Sequence, residues 1–273
     1  MKKVILIIGE RHQSNACGFI REFEKLDGKI DGILCLKAKN NATYHLKKAL
    51  RFLKLFKKSK IKSALVSLLC RISNLQKMSS LKNSWIVAGE NSWDLLENKF
   101  DIFQYAKEKN IPLQLSPFLS SSLIKSYTLD GPTIFPLYAG GILTKAILEN
   151  TNAEFINAHM GEMPNYRGMN VLEWAILENQ PTKVAVMIMN EKIDGGDIIW
   201  HKDIILGQEK NIAQLRKIGY TYCYKAMAEG IVHYLHNDAL RQKQPKGAKY
   251  YYRMHKQIRN LLEQKLQIAD QIR

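Results

Sequence analysis

Four cysteines, Cys17, Cys35, Cys70 and Cys223, are scattered through 273 residues, and no two form a C-x-x-C pair. That spacing offers neither a disulfide framework nor a cysteine zinc site, so the thiols read as reduced and buried in a cytoplasmic chain, and no metal is expected. The 7 prolines and 16 glycines are too few for a collagen-like or low-complexity chain. Long apolar runs are missing as well: Ala64 to Cys70 is broken by Ser67, far below the roughly 18 residues of a membrane span. The run Val4 to Ile8 stops at Gly9-Glu10-Arg11-His12, too short for the core of a signal peptide and followed by charge. The most local absence is of acid. From Gly32 to Gly89 there is no Asp or Glu, while Lys and Arg supply 13 positive charges. The total of +16 therefore misleads, because the rest of the chain carries 28 cations against 25 anions. One segment is strongly basic, and the remainder is electrostatically ordinary.

What is present is enough to fold. With 46% hydrophobic and 9% aromatic residues the chain can bury a large core. Val4 to Ile8 reads as a strand buried on both faces, Ser14 as the N-cap of a helix to Leu26, and Gly32 to Leu36 as a second strand. After the basic stretch the alternation resumes, with a helix at Trp93 to Lys109, extended Pro112 to Leu115, and a strand at Pro132 to Tyr138. A helix at Ile142 to Leu148, a strand at Glu154 to Ala158 and a helix at Asn170 to Leu177 follow. Strands at Lys183 to Met189 and Asp197 to Leu206 precede a long helix from Asn211 to His236. The expected fold is α/β: a Rossmann-like, mostly parallel sheet with helices on both faces. Its domain would span residues 1–237, with a basic helical insertion at 38–84 and a short C-terminal tail at 238–273.

Asn157-Ala158-His159 stands at the carboxyl end of a strand, where ligands bind in open α/β sheets. Two residues apart, the amide and the imidazole share a face if the strand runs through both. Aimed at one point, they suit a carbonyl oxygen that gains charge during attack. The alternative is structural, with Asn157 capping a turn and His159 bonded to a loop. Asp194-Gly195-Gly196-Asp197 likewise reads either as a hairpin turn or as a carboxylate placed to orient the histidine. Met163-Pro164-Asn165-Tyr166-Arg167-Gly168 is a loop crossing or an anchor for substrate through its single arginine.

Taken together, Asn157-x-His159, Met163-Pro164-x-Tyr166-Arg167-Gly168, Trp174-Ala175-Ile176 and Asp194-Gly195-Gly196-Asp197-Ile198-Ile199 occur in one order at close spacing. With Gly140-Gly141-Ile142-Leu143 upstream, this set resembles the folate-dependent formyltransferases, which include glycinamide ribonucleotide, methionyl-tRNA and sugar-nucleotide N-formyltransferases. The resemblance implies transfer of a formyl group from N10-formyltetrahydrofolate to a neutral amine. It makes Asn157, His159 and Asp194 the catalytic trio: Asn157 donates to the developing oxyanion, His159 stabilises it or relays a proton, and Asp194 fixes the histidine. It puts the folate against Gly141, Ile142 and Leu143 and the stretch Met189, Asn190, Glu191 and Ile193. The chain departs from the family pattern at Met187, where many members have a histidine, and at Met160-Gly161-Glu162. It departs again at Gly9 to Asn15, where bulky side chains replace a Gly-rich phosphate loop and argue against a purine-pathway acceptor.

The leading expectation for the acceptor is an amino sugar, nucleotide-linked and used in surface polysaccharide synthesis, touched by Arg11, Tyr166 and Arg167. It comes by elimination, since the tRNA enzymes carry a further C-terminal domain and only a short stretch follows His236 here. A methionyl-tRNA-type enzyme using the basic segment on phosphates is the alternative within the family, though nucleic acid is not the expected partner. A non-catalytic module is the alternative outside it, with residues 45–62 on an anionic membrane or nucleic acid. A solvated face explains the same charges without a partner. Tyr250 to Arg253 would cover a crevice or meet a second subunit in a homodimer.

Overall fold

The computed structural model describes residues 2–10, 13–37, 100–138, 143–237, 241–245 and 249–271. Strands β1 (Lys3–Gly9), β2 (Gly32–Leu36), β3 (Leu113–Ser116), β4 (Thr133–Pro136) and β5 (Ala153–His159) are mutually parallel. With β6 (Arg167–Gly168) lying apart, β7 (Lys183–Ile188) runs antiparallel to β5, and β8 (Asp197–Asp203) antiparallel to β7. The order β3-β2-β1-β4-β5-β7-β8 makes a mostly parallel sheet.

The continuous β-branched run in β1 is explained by what covers it. Leu6 and Ile8 face one side, packed with α1 (Gln13–Glu24), α2 (Ile102–Glu108) and the long α6 (Ile212–His236) through Phe19, Ile102 and Met227. Ile5 and Ile7 face the other, under α3 (Ser121–Tyr127) and α4 (Lys145–Leu148) through Ile124 and Ile147. Both faces are thus apolar and both are covered, as a parallel sheet requires. Strand order proceeds from β1 to β2 and β3 on one side and to β4 and β5 on the other. The switch point between β1 and β4 opens a crevice at the carboxyl ends, and β5 ends beside it.

Several local expectations change. Ser14 lies inside the first turn of α1, which already begins at Gln13. Where Trp93 to Lys109 reads as helix, the described part is α2, begun by Asp101, whose carboxylate accepts from the N–H groups of Phe103 and Gln104. The helix expected from Ile142 is described over Lys145–Leu148. The short α3, capped by Ser120, has no counterpart in the expectations. The insertion at 38–84, with the membrane-contact stretch 45–62 inside it, lies outside the described residues.

The described residues after α6 are structured and packed on the domain. β9 (Tyr250–Tyr251) pairs in parallel with β6. The helix α7 (Lys256–Gln271) lies against α5 (Val171–Leu177). Ile258, Leu262 and Leu266, each four residues from the next, put one apolar stripe against Trp174, Ile176 and Ile212. Lys265 completes the contact, its Nζ donating at 2.6 Å to the carbonyl of Ile176 and at 2.6 Å to Asn179 Oδ1, where α5 ends. Among the described residues no helix is long and apolar enough to cross a membrane.

Candidate active site

β5 runs through both Asn157 and His159, pairing Asn157 with Met187 and His159 with Ala185 on β7. Asn157 therefore faces Met187, buried in an apolar cluster with Met163, Ala185 and Ile198. A thioether there gives the amide no competing hydrogen bond of ordinary strength. His159 is 9% exposed, and its Nε2 lies 2.9 Å from the carbonyl oxygen of Tyr166. A carbonyl only accepts, so Nε2 carries the proton and Nδ1 is the nitrogen turned toward Asp194. The Nδ1 to Oδ1 separation is 3.7 Å, longer than a hydrogen bond. The ring is thus fixed by the Tyr166 backbone, and Asp194 faces it without holding it.

Asp194 has its own support. It sits in the left-handed region at φ 47°, which aspartate tolerates better than most residues, on the loop between β7 and β8. Its Oδ2 accepts from Gly168 N–H at 2.9 Å, leaving Oδ1 toward the histidine. The loop closes on itself through Asn190, whose Nδ2 donates to the Gly195 carbonyl at 2.9 Å and whose Oδ1 accepts from Lys192 N–H at 2.9 Å. Gly196 is needed for a close approach, since a Cβ there would overlap the carbonyl of Ile188. At Gly168, φ +100° and the neighbouring Tyr251 carbonyl both exclude a side chain.

Three cavities meet at these residues. One of about 190 Å³ is lined by Leu143, Asn157, Met187, Asp194 and the loop Met189 to Gly196. It gathers Leu143, Met189, Asn190, Glu191 and Ile193, five of the seven residues expected against a folate; Gly141 and Ile142 lie outside the described residues. A second, of about 330 Å³, opens on the other side of Asn157 between Asn15, Tyr138, Tyr220 and Tyr224 at the switch point of the sheet. Its walls stay uncharged near neutral pH: burial raises the pKa values of Tyr138, Tyr220 and Cys223. The Tyr138 hydroxyl is buried with no hydrogen-bond partner among the described residues. A third cavity, of about 490 Å³, lies against His159, Gly168 and α5.

The expected acceptor contacts fare differently. Arg167 is only 5% exposed and lines none of these three cavities. Its Nε and Nη2 donate to Gln244 Oε1 at 3.1 and 2.7 Å, and its Nη1 to the Tyr250 hydroxyl at 3.3 Å. Tyr166 is likewise buried, with its hydroxyl on Glu178 Oε2 at 2.7 Å and its ring stacked on Tyr251 at 4.9 Å between centroids. Both side chains are committed to contacts within the protein, Arg167 to Gln244 and Tyr250 and Tyr166 to Glu178 and Tyr251. Arg11 lies outside the described residues.

Sequence reasoning missed Gln244. Besides taking Arg167, it donates through Nε2 to the carbonyls of Asp194 at 3.2 Å and Gly196 at 2.6 Å. It therefore ties the two loops that carry His159's anchor and Asp194. Tyr251 also belongs here, buried on Tyr166 and Trp174 and so packed on its own domain, while the neighbouring Tyr252 is exposed. The only sequence signal for this role was a cluster of tyrosines in a polar tail.

The chain is similar to known proteins in sequence and in fold. Residues 119–229 match the family described as formyl transferase. A methionyl-tRNA formyltransferase from Prochlorococcus marinus (strain MIT 9515) is 34% identical over 121 residues, covering 42% of this chain and 36% of the relative. The chain thus spans little more than a third of that relative's length. The N-formyltransferase from Helicobacter canadensis, solved with folinic acid and dTDP-3-aminofucose, superposes with a TM-score of 0.51 at 15% identity, over 100% of this chain and 83% of that one. Phosphoribosylglycinamide formyltransferase from Anaplasma phagocytophilum gives 0.50 at 13%, over 93% and 98%. Over residues 119–229 the chain is similar to the formyl transferase family.

Proposed function

We propose that the chain moves a formyl group from N10-formyltetrahydrofolate to the amine of an amino sugar, carried on a nucleotide. The observation that carries this reading is that Asn157 lies where two cavities meet, with Asp194 lining one of them and His159, from the same strand as Asn157, 3.7 Å from Asp194. The cavity bounded by Leu143, Met189 and Ile193 has an apolar wall and a loop backbone suited to a flat heterocycle. The bound folate supplies the formyl carbon: its bond to N10 breaks, a bond to the acceptor nitrogen forms, and one proton passes from that amine to N10. Asn157 donates its amide N–H to the oxygen that gains charge during attack. Asp194, with one oxygen bound to Gly168 N–H, keeps the other to receive the amine proton. His159, held by the Tyr166 carbonyl, adds a positive field when protonated at Nδ1.

The tyrosine-walled cavity favours a small acceptor. Tyr138, Tyr220 and Tyr224 suit the face of a sugar or a base. The second reading, methionyl-tRNA, is supported by the names of the relatives matched in sequence. Purified protein given 10-formyltetrahydrofolate with a panel of nucleotide-linked amino sugars, and separately with methionyl-tRNA, separates the two. The expected result is formamide formation on one sugar, abolished in His159→Ala. Product on methionyl-tRNA alone would move the acceptor to the second reading. No product and no folate binding would leave a non-catalytic module.

A further inference from the structure

The largest of the three cavities meets the reaction as described only through His159. Its wall carries Arg216 from α6 and Arg253 and Arg259 from the C-terminal segment, against one carboxylate, Glu173. That carboxylate is buried and already committed, accepting from Arg216 Nε at 2.6 Å and from Asn170 Nδ2 at 3.1 Å. Among the described residues of the lining, three arginines stand against one carboxylate. The crowding acts on Arg259, whose pKa is lowered first by burial and then by the charge of Arg216, with Glu173 and Glu263 opposing and Arg253 adding to it. Holding guanidinium groups together in a half-enclosed space costs free energy that an anion between them recovers, and the planar fork of arginine matches phosphate oxygens.

The cavity is also connected to the site. It includes His159 and shares Ala158, Met160 and Tyr220 with the tyrosine-walled cavity beside Asn157. A molecule with its amine at Asn157 can thus extend past Met160 and Tyr220 to the arginines. No Gly-rich loop follows β1 to hold a phosphate at the other end of the crevice.

We propose that the cavity formed by Arg216, Arg253 and Arg259 is a subsite for the diphosphate of a small nucleoside-diphosphate acceptor. It rests on the reading of the acceptor as a nucleotide-linked sugar, and it makes the C-terminal segment a specificity element.

The test is direct binding, so that it does not depend on turnover. Calorimetry with the full chain would use UDP, dTDP and inorganic pyrophosphate as probes, with uridine and thymidine as uncharged controls. The wild type should bind a nucleoside diphosphate at least about tenfold more tightly than the nucleoside, the difference one charge-assisted bond supplies. Arg253→Gln and Arg259→Gln should each weaken that binding by about tenfold or more and leave folate binding unchanged. Equal diphosphate affinity in wild type and both variants overturns the subsite even if formyl transfer is intact. Arginine-dependent diphosphate binding without any formyl transfer keeps the subsite and removes the reaction instead. Arginine-dependent binding of tRNA, with none of a nucleoside diphosphate, overturns the small-molecule assignment. If a glutamine variant does not fold, Arg253→Lys and the wild type's salt dependence decide: affinity for the diphosphate that does not fall with rising salt overturns the proposal.

Discussion

Asn157, His159 and Asp194 come from one stretch of chain, β5 to the loop before β8, whereas Gln244, Tyr250 and Tyr251 reach the same place from beyond the 25-residue helix α6. The first region carries groups that can do chemistry, and the second carries groups that hold them. Asp194 and Gly196 are clamped through their carbonyls, and Arg167 through its guanidinium, all by the one side chain of Gln244. The difference teaches that reactive side chains here need a strand end and a tight loop, features encoded over a few residues. Their supports need only a donor or a ring at the right point in space, which any returning segment can supply.

That contrast can be broken experimentally. The largest effect is expected from the reacting side: Asn157→Ala should lower kcat by about 10²–10³-fold, because an oxyanion donor is lost. Its melting temperature should hardly move, since Asn157 makes no side-chain hydrogen bond in the described structure that its loss would orphan; steady-state transfer and a thermal melt would check both. Next, Leu143→Ala should raise the KM for the folate by roughly tenfold with kcat retained, the cost of thinning an apolar wall. A change in kcat alone would assign Leu143 to a different task.

On the supporting side, Gln244→Ala should remove about 1–3 kcal/mol of stability, because buried acceptors lose their donor. It should also lower kcat by about tenfold, equivalent to 1.4 kcal/mol in the barrier. A stability loss with kcat untouched would reduce the C-terminal segment to a brace. The smallest effect concerns Glu178, which accepts from the hydroxyls of both Tyr166 and Tyr251. Burial acts to raise its pKa, but Tyr251, Tyr166 and Lys249 outweigh burial and hold it below the ordinary 4.5. A depressed carboxylate stabilises the fold above its unfolded value and loses that contribution as pH falls through the folded one. Melting temperature should therefore drop below about pH 4.5, and Glu178→Gln should flatten that part of the curve.

Much of the sheet could be read from local pattern. Continuous apolar runs became β1 and β2, the alternation of strand and helix became the parallel half, and Asn157-x-His159 landed on a strand end. What local pattern could not show has a common cause. Tyr166 and Arg167 read as ligand contacts because an arginine beside a tyrosine in a loop carries no mark of burial. Their partners, Gln244, Glu178 and Tyr251, are 77, 12 and 85 positions away from the residues they hold. α7 went unread although Ile258, Leu262 and Leu266 keep helical spacing, since a stripe of three residues acquires meaning only with a surface to cover.

The sequence by itself determined the α/β alternation, the candidate residues Asn157, His159 and Asp194, and the confinement of its excess charge to one acid-free stretch. These rest on hydrophobic periodicity and on short motifs, whose physics is local. Only the tertiary structure decided that Tyr166 fixes His159 while Asp194 merely faces it, that Arg167 is internal, and that three arginines converge on the far side of the histidine. Those outcomes depend on where segments separated by a long helix come to rest, which is settled by packing across the whole domain.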